Sequence, residues 1–423
     1  MNKTKNKILL TVLIILLVIG SFFGGYFSRY FTIDKELRGV YDLVNKYKKY
    51  YYFDDGDLVK EISDAILDDY STYYTKEEYQ AIINEAKGYY EGIGLSFYKN
   101  SLKIYKVLGN SPSEKAGIKG GGNLVAVKYN ESYIDVDSLE EFTSILGQIP
   151  NNTNFIINID YNGTVKEYTI QKQSYKRSYV HYYDSDGYYG FVDISGEFKM
   201  EKLNNETIIS DSSVGYLVYD SFSGTSKDLS GSAKQMEEAL KKFKNDNKTN
   251  LILDLRDNGG GYMDILCKVS SHFIDIENGK TAEVSYSIDK NGIKKSYYSK
   301  ACDYSDYNFN NIVVLANENT ASASEALIGA MLDYDKQNKV KVLVSSSIKN
   351  GQTVYKTYGK GIMQNTYKNT DGSAVKLTVA EIFWPISKTS IHKVGIVGKQ
   401  DGKILAVDKS NALNQALNII NNF

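Results

Sequence analysis

The apolar positions change period several times along the chain, and each change marks a different element. Ile8 to Phe27 is a run of 20 residues without a charge. At 1.5 Å per residue it is long enough to cross a hydrocarbon core of about 30 Å. Lys3, Lys5 and Lys7 precede it, which predicts an uncleaved anchor with a cytoplasmic tip and all that follows Phe27 outside. A cleaved signal peptide is the rival reading, but its apolar stretch is usually about 7–15 residues and ends in a small-x-small site, and nothing here reads A-x-A. Over residues 31–80 the period is helical: Ile33, Leu37, Val40, Tyr41 and Val44, then Leu58, Ile62, Ala65 and Ile66. From 81 to 175 it shortens to the alternation of strands, at Leu102–Val107, Leu124–Val127, Phe155–Ile159 and Val165–Ile170. One helix, Ser138–Leu146, is expected among them. Residues 176–213 are tyrosine-rich and polar with no clear period, and read as a linker or insertion.

The region 214–400 reads as α/β. Gly215–Val218 is a strand candidate. A helix is expected over Ser232–Lys244, with Ser232 and Gln235 as a capping box. Leu251–Leu255 and Ile312–Ala316 are near-continuous apolar runs, as in strands covered on both faces. The second feeds a helix over Ser322–Tyr334, and residues 401–423 read as a closing helix. The expected fold is therefore multi-domain α/β.

Charge narrows the function classes. Lys and Arg total 50 against 51 Asp and Glu, so no basic field exists to hold nucleic acid. Cys267 and Cys302 cannot make a disulfide framework, and neither sits in a metal-binding spacing. Any histidine-based site must be built from His181, His272 and His392, and none lies in a recognisable triad context.

Four segments carry candidate chemistry. Ser322 with Glu325 three residues on is a capping-box pattern. The same strand-to-helix turn also exposes a serine beside free N–H groups that can stabilise an oxyanion. A serine needs a base. If Tyr358–Gln364 is a strand, Lys360, Ile362 and Gln364 share one face. Burial would keep the Lys360 amine neutral, and Gln364 could fix its rotamer; the alternative is an ordinary surface lysine in a turn. The Gly259-Gly260-Gly261 run after Leu251–Leu255 can present backbone amides, yet fits neither a P-loop nor a dinucleotide fingerprint. Gly92-Ile93-Gly94-Leu95 before a strand can aim N–H groups at a peptide carboxylate, with strand addition as the binding mode, or is simply a turn.

In this order the segments resemble the C-terminal processing peptidases, or tail-specific proteases: serine-lysine endopeptidases with an inserted PDZ domain. Asp69–Thr75 is similar to the family's segment before the PDZ. Gly92–Leu95 and Ser111–Ile118 resemble the PDZ carboxylate loop and its S-P-A-x-x-A-G-I stretch. Leu253–Gly261 resembles L-D-L-R-x-N-x-G-G, Thr320–Glu325 matches T-A-S-A-S-E, and Tyr358–Gln364 matches Y-G-K-G-x-x-Q. The resemblance implies Ser322 as nucleophile, Lys360 as general base, Gln364 as its orienter, and the N–H groups of Gly260 and Ala323 as oxyanion hole. It implies peptide binding at Gly92, Ile93, Gly94 and Leu95, a crotonase-related core, and no metal or organic cofactor.

There are departures. Asn123 stands for the usual Asp, Ser113 for Ala, and Gly259 where many members have Pro. The 38 residues from Ser322 to Lys360 exceed the family spacing, so Val344–Lys356 must loop out. The expected protein is a single-pass, extracytoplasmic, membrane-anchored serine endopeptidase. Its expected partners are protein tails and the membrane, with homodimerisation left open. The rivals are a catalytically silent anchored PDZ scaffold and a crotonase-like acyl-thioester enzyme.

Overall fold

The computed structural model describes residues 20–21, 35–50, 58–98, 100–205 and 208–422. The anchor expected over Ile8–Phe27 lies almost wholly outside these. Among the described residues no helix is long and apolar enough to cross a membrane. The chain divides into two units, Met1–Ile66 and Leu67–Phe423. The first contains helices α1 (Lys35–Tyr50) and α2 (Leu58–Ile66), at the helical spacing of the sequence.

The second unit opens with β1 (Thr72–Tyr74) and α3 (Lys76–Ala86). Thr75 and Glu78 close α3 with a reciprocal capping box. A β-rich module follows: β2 (Tyr89–Gly92), β3 (Leu95–Phe97), β4 (Ile104–Val107), α4 (Pro112–Lys115), β5 (Asn123–Tyr129), β6 (Ser132–Asp135), α5 (Leu139–Gln148), β7 (Asn154–Tyr161), β8 (Thr164–Gln171) and β9 (Gln173–Lys176). It has a core of its own, in which Ile104, Val127, Ile157 and Ile159 are fully buried.

Residues 180–204, set aside above as linker or insertion, are instead three strands of the main sheet: β10 (Val180–Tyr183), β11 (Tyr188–Ile194) and β12 (Glu197–Asn204). The chain continues through β13 (Val214–Tyr219), α6 (Ser232–Asn245), β14 (Asn250–Asp254), α7 (Met263–Ser270), β15 (Glu283–Asp289), β16 (Lys294–Tyr298), β17 (Asn311–Ala316) and α8 (Ala323–Tyr334). Next come β18 (Val340–Ser345), β19 (Ser347–Lys349), β20 (Gln352–Val354), β21 (Ile362–Lys368), β22 (Ala374–Phe383), β23 (Ile404–Val407) and α9 (Ala412–Ile420).

The main sheet runs β12-β11-β10-β13-β14-β17-β18-β23. From β13 to β23 every pairing is parallel, and β10 to β12 add an antiparallel edge. Helices α6, α7 and α8 cover one face, and α9 covers the other with Ala412, Ala416 and Ile420 at four-residue spacing. Burial on both faces explains the continuous apolar runs of β14 and β17. A second sheet, β1-β22-β15-β16 with β21 on β22, is built largely from insertions between these units.

Ser232 and Gln235 do not form the expected capping box. Gly231 is the N-cap of α6. Ser232 Oγ is instead bonded to Tyr219 Oη and accepts from Ser223 N–H. The Gln235 amide accepts from Tyr179 N–H and donates to the Arg177 and Leu229 carbonyls. A pair that matches a cap in sequence has been recruited to tie the helix to β10.

Candidate active site

The parallel strands end at one edge, and their following loops converge there, the usual place for a site in such a sheet. Ser322, between β17 and α8, has φ 57° and ψ −116°. This is the first central position of a type II′ turn, normally taken by glycine. A serine there costs of order 1–3 kcal/mol and persists only if its surroundings enforce it. Asn258, fully buried, does much of that. Its carbonyl accepts from Ala321 N–H and Ser324 Oγ, both at 3.0 Å, and its side chain donates to Tyr219 O at 2.7 Å. Gly260 lies against the turn. A Cβ on it would fall 2.7 Å from Ala323 N and 2.8 Å from Ser322 Cβ, and its φ is +94°. Only glycine fits there.

Glu325 joins this turn to the lysine. It is fully buried. One oxygen accepts from Thr357 Oγ1 at 2.5 Å and Gly359 N–H at 2.9 Å. The other accepts from Ser322 N–H at 2.9 Å and Lys360 N–H at 3.0 Å. Four donors fill the acceptor sites of an ionised carboxylate. Burial raises its pKa above the usual glutamate value, and the four bonds offset only part of this. The backbones of Ser322 and Lys360 thus hang from a single oxygen.

The Lys360 side chain is half-buried. Burial holds its pKa below the usual lysine value, and the Lys376 charge adds to this. Its Nζ lies 5.9 Å from the Tyr70 ring centroid, and no salt bridge among the described residues involves it. It lines a cavity of about 420 Å³ with Ala321, Gly259 and Lys376. Ser322, Ala323 and Gln364 line a neighbouring cavity of about 260 Å³ with Gly261 and Met363. No hydrogen bond among the described residues links Lys360 Nζ to Ser322 Oγ or to Gln364, whose Nε2 is buried and unpartnered.

Residues 213–399 match the profile of peptidase family S41. Over this segment the chain is related to the S41 peptidases. Among relatives, a probable CtpA-like serine protease of Staphylococcus saprophyticus is 31% identical over 343 residues, covering 80% of this chain and 58% of the relative. A protein of the same description from Staphylococcus aureus is 29% identical over 361 residues, covering 82% and 60%. The chain therefore spans about three fifths of the length of these relatives. Among solved structures, the photosystem II D1 C-terminal processing protease superposes with a TM-score of 0.53 at 20% identity, covering 92% of this chain and 93% of that one. A putative S41 protease from Bacteroides fragilis gives 0.51 at 15%, covering 88% and 92%. These two support the fold.

The sequence-derived site divides in three. Gly260 packs against the turn of Ser322 and Ala323, and Gln364 of β21 lines the same cavity as those two residues. The Ala323 N–H, first of its helix, has no intrahelical acceptor, whereas the Gly260 N–H is held by Asn258 Oδ1 at 2.9 Å. Lys360 sits one cavity away. It also precedes β21 rather than lying in it, and a bulge between Met363 and Gln364 breaks the expected alternation. Gly92–Leu95 belongs to the separate module. Gly94, at φ +80°, packs against Ser111, and the Ile93 and Gly94 carbonyls accept from Ser113 and Leu108 N–H.

The expected loop over Val344–Lys356 is a hairpin, β19 and β20, turned by Asn350 and Gly351 at φ 50° and 75°. His181 and His272 are engaged by Tyr188 and Asp303, away from these cavities. Among the described residues no cluster could hold a metal ion. Glu325, Thr357, Asn258 and Lys376 were not recognised as site residues. Glu325 and Asn258 carry a signal, as letters of the T-A-S-A-S-E and L-D-L-R-x-N-x-G-G matches, while Thr357 and Lys376 carry none.

Proposed function

We propose that this chain is a membrane-anchored serine endopeptidase that cleaves proteins near a free C-terminal tail. The anchor is the apolar run Ile8–Phe27, which puts the catalytic part on the extracytoplasmic side. The β-rich module acts as a PDZ domain and takes the tail carboxylate at Gly92–Leu95. Ser322 is the nucleophile and neutral Lys360 its base, with Gln364 orienting the lysine. Ser322 attacks the scissile carbonyl while Lys360 takes its proton, the oxyanion rests on the Ala323 and Gly260 N–H groups, and water releases the acyl-enzyme. The observation that carries this reading is the Glu325 carboxylate, which bonds the Ser322 and Lys360 backbones at once. A chain without a dyad has no need of that bracket.

Productive chemistry requires Lys360 Nζ to swing from its own cavity to Ser322 Oγ and Gly260 N–H to turn from Asn258. Side-chain and loop motions of this size are fast beside a turnover. The separation of the two side chains also favours a second reading, the silent anchored scaffold.

One experiment decides between them. Full-length protein in detergent is incubated with an unstructured protein ending in an apolar tail. Wild type is compared with Ser322→Ala and Lys360→Ala, with equal folding checked by circular dichroism. Cleavage by wild type and loss in both variants is expected. Equal cleavage by all three refutes the dyad, and an inert wild type that still binds the tail supports the scaffold.

A further inference from the structure

The two cavities meet at the Ser322 turn. Ala321 and Gly259 belong to one; Ser322, Ala323 and Gly261 belong to the other. Their linings differ in kind. The larger is lined by five aromatic residues, Tyr70, Phe97, Tyr98, Tyr105 and Tyr358, together with the charged Asp69, Lys360 and Lys376. The smaller is mainly aliphatic and thioether, with Met263, Leu266, Ile362 and Met363, and also carries Tyr262 and Asp264. We infer that these are the two side-chain pockets of one cleft: the aliphatic cavity takes the residue on the acyl side of the scissile bond, and the aromatic cavity takes an aromatic or large apolar residue on the leaving side. This rests on the peptidase reading above and adds its direction and substrate class.

Two separate arguments fix the direction. The base that takes the serine proton must hand it to the departing amine, so it stands on the leaving-group side. Lys360 lines the aromatic cavity and not the aliphatic one, so its swing to Ser322 Oγ starts from the aromatic side. Independently, that cavity is walled by module residues, Phe97 of β3 and Tyr105 of β4 with Tyr98 next to β3. In the proposed reading the module holds the C-terminal tail, which is the leaving fragment. The chain between tail and scissile bond must then pass this chamber.

The lining also specifies the occupant. Tyr98 and Tyr105 meet edge to face at 5.3 Å, and the Tyr105 hydroxyl is committed to the Asp257 carbonyl. A ring already held in place presents its face at little entropic cost. Tyr98 and Tyr358 stay 41% and 53% exposed, so each has apolar surface left for a ligand to cover. At about 420 Å³ the chamber lies within the usual range for small-ligand pockets, about 300–1,000 Å³. The second cavity is smaller, about 260 Å³, and Met263, Leu266, Ile362 and Met363 supply most of its apolar lining beside the one charged residue, Asp264, so it favours a medium-sized apolar side chain on the acyl side.

The test is a cleavage-site profile. Full-length protein in detergent digests a mixture of unstructured proteins, and the new termini are read by mass spectrometry for wild type, Ser322→Ala, Tyr98→Ala, Tyr358→Ala and Met363→Ala. The wild-type sites should be enriched in medium apolar residues before the bond and aromatic or large apolar residues after it. Each tyrosine variant should lose about three- to tenfold of the leaving-side preference, the worth of one aromatic pairing, with the acyl-side preference intact. Met363→Ala should do the reverse, admitting larger acyl-side residues. Both tyrosines are surface residues, so folding is not at stake. Ser322-dependent cleavage with no aromatic enrichment after the bond, or with profiles unmoved by the tyrosine variants, overturns this inference and leaves the peptidase reading standing. Cleavage that persists in Ser322→Ala overturns the peptidase reading itself.

Discussion

Glu325 is the residue whose alteration is most informative, because its two oxygens hold four donors on two different loops. In Glu325→Gln one oxygen becomes an NH2 group of nearly the same size. Whichever way the amide sits, two donors then face a donor: either Thr357 Oγ1 with Gly359 N–H, or Ser322 N–H with Lys360 N–H. A hydrogen bond to a charged group is worth about 1.5–3 kcal/mol, so the gross loss is about 3–6 kcal/mol. The variant no longer buries a charge, which returns part of this. A net destabilisation of roughly 1–4 kcal/mol follows, within the total of about 5–15 kcal/mol for an ordinary fold. The protein should therefore still fold, with its lysine loop loosened from the nucleophile turn. A misplacement of about 1 Å at the reacting groups costs on the order of 100-fold in rate.

The expected result is a fall of about 100-fold in kcat/KM with native circular dichroism and a modest drop in Tm. Hydrogen exchange separates positioning from general damage. The amides of Gly359 and Lys360 should exchange faster in the variant, while those of β14 and β17 keep their protection. Glu325→Asp retains the charge but is one methylene too short to reach both loops, and should rescue stability better than activity. Wild-type kcat/KM in Glu325→Gln, or unchanged exchange at Gly359 and Lys360, would refute the role assigned to this carboxylate.

Two further outcomes follow from the same site. Lys376 lines the Lys360 cavity, and its charge disfavours a second cation there. In the proposed mechanism Lys360 is a base only when neutral, so activity rises as pH passes upward through its pKa. Removing the neighbouring charge in Lys376→Met lets Lys360 hold its proton longer, and the acidic limb of the kcat/KM profile should move to higher pH with the alkaline plateau kept; an unmoved limb refutes the coupling. Replacing Ile348–Thr353 of the hairpin by a two-residue turn should leave Tm and kcat/KM within about twofold of wild type, since Ile348 is 73% exposed and surface changes away from special features cost within about 0.5 kcal/mol. A large loss in either would mean that the hairpin takes part in the site.

Much of the architecture was legible from periodicity. The apolar runs of β14 and β17, the helices α6 and α8 and four strands of the module, β4, β5, β7 and β8, lie within a few residues of their expected bounds, because burial on both faces or one face writes itself directly into the pattern. The antiparallel edge β10 to β12 was not legible. Its core-facing positions are filled by Tyr182, Tyr179 and Phe191, and its outer edge by the charged Lys199, Glu201 and Lys202. Tyrosine counts as apolar or polar according to where its hydroxyl ends, so strands built from it show no clean alternation. The serine and lysine were legible only through motif resemblance. Their relative placement was not, because Lys360 reaches its position from a loop, and a loop has no period. Glu325 illustrates the deeper limit. In sequence it is a capping residue for Ser322, and that bond is present, but its other three partners lie 32 to 35 residues away.

This bracket also explains how the long separation of Ser322 and Lys360 can be tolerated. Closing a flexible loop costs about (3/2)RT ln n, so each doubling of its length adds only about 0.6 kcal/mol. The inserted residues do not even remain a flexible loop, since an Asn-Gly turn folds them into their own hairpin. What must stay fixed is the point where the chain returns. Thr357 Oγ1 donates to Glu325 and accepts from Ile396 N–H at 2.7 Å, and Tyr358 N–H donates to the Thr320 carbonyl at 3.0 Å. Three successive residues, Tyr358 to Lys360, are thereby bonded through their backbones to the nucleophile turn or its helix. The backbone position of Lys360 is set by this re-entry and is insensitive to the path taken before it, so a longer spacing still returns the chain to the Ser322 turn.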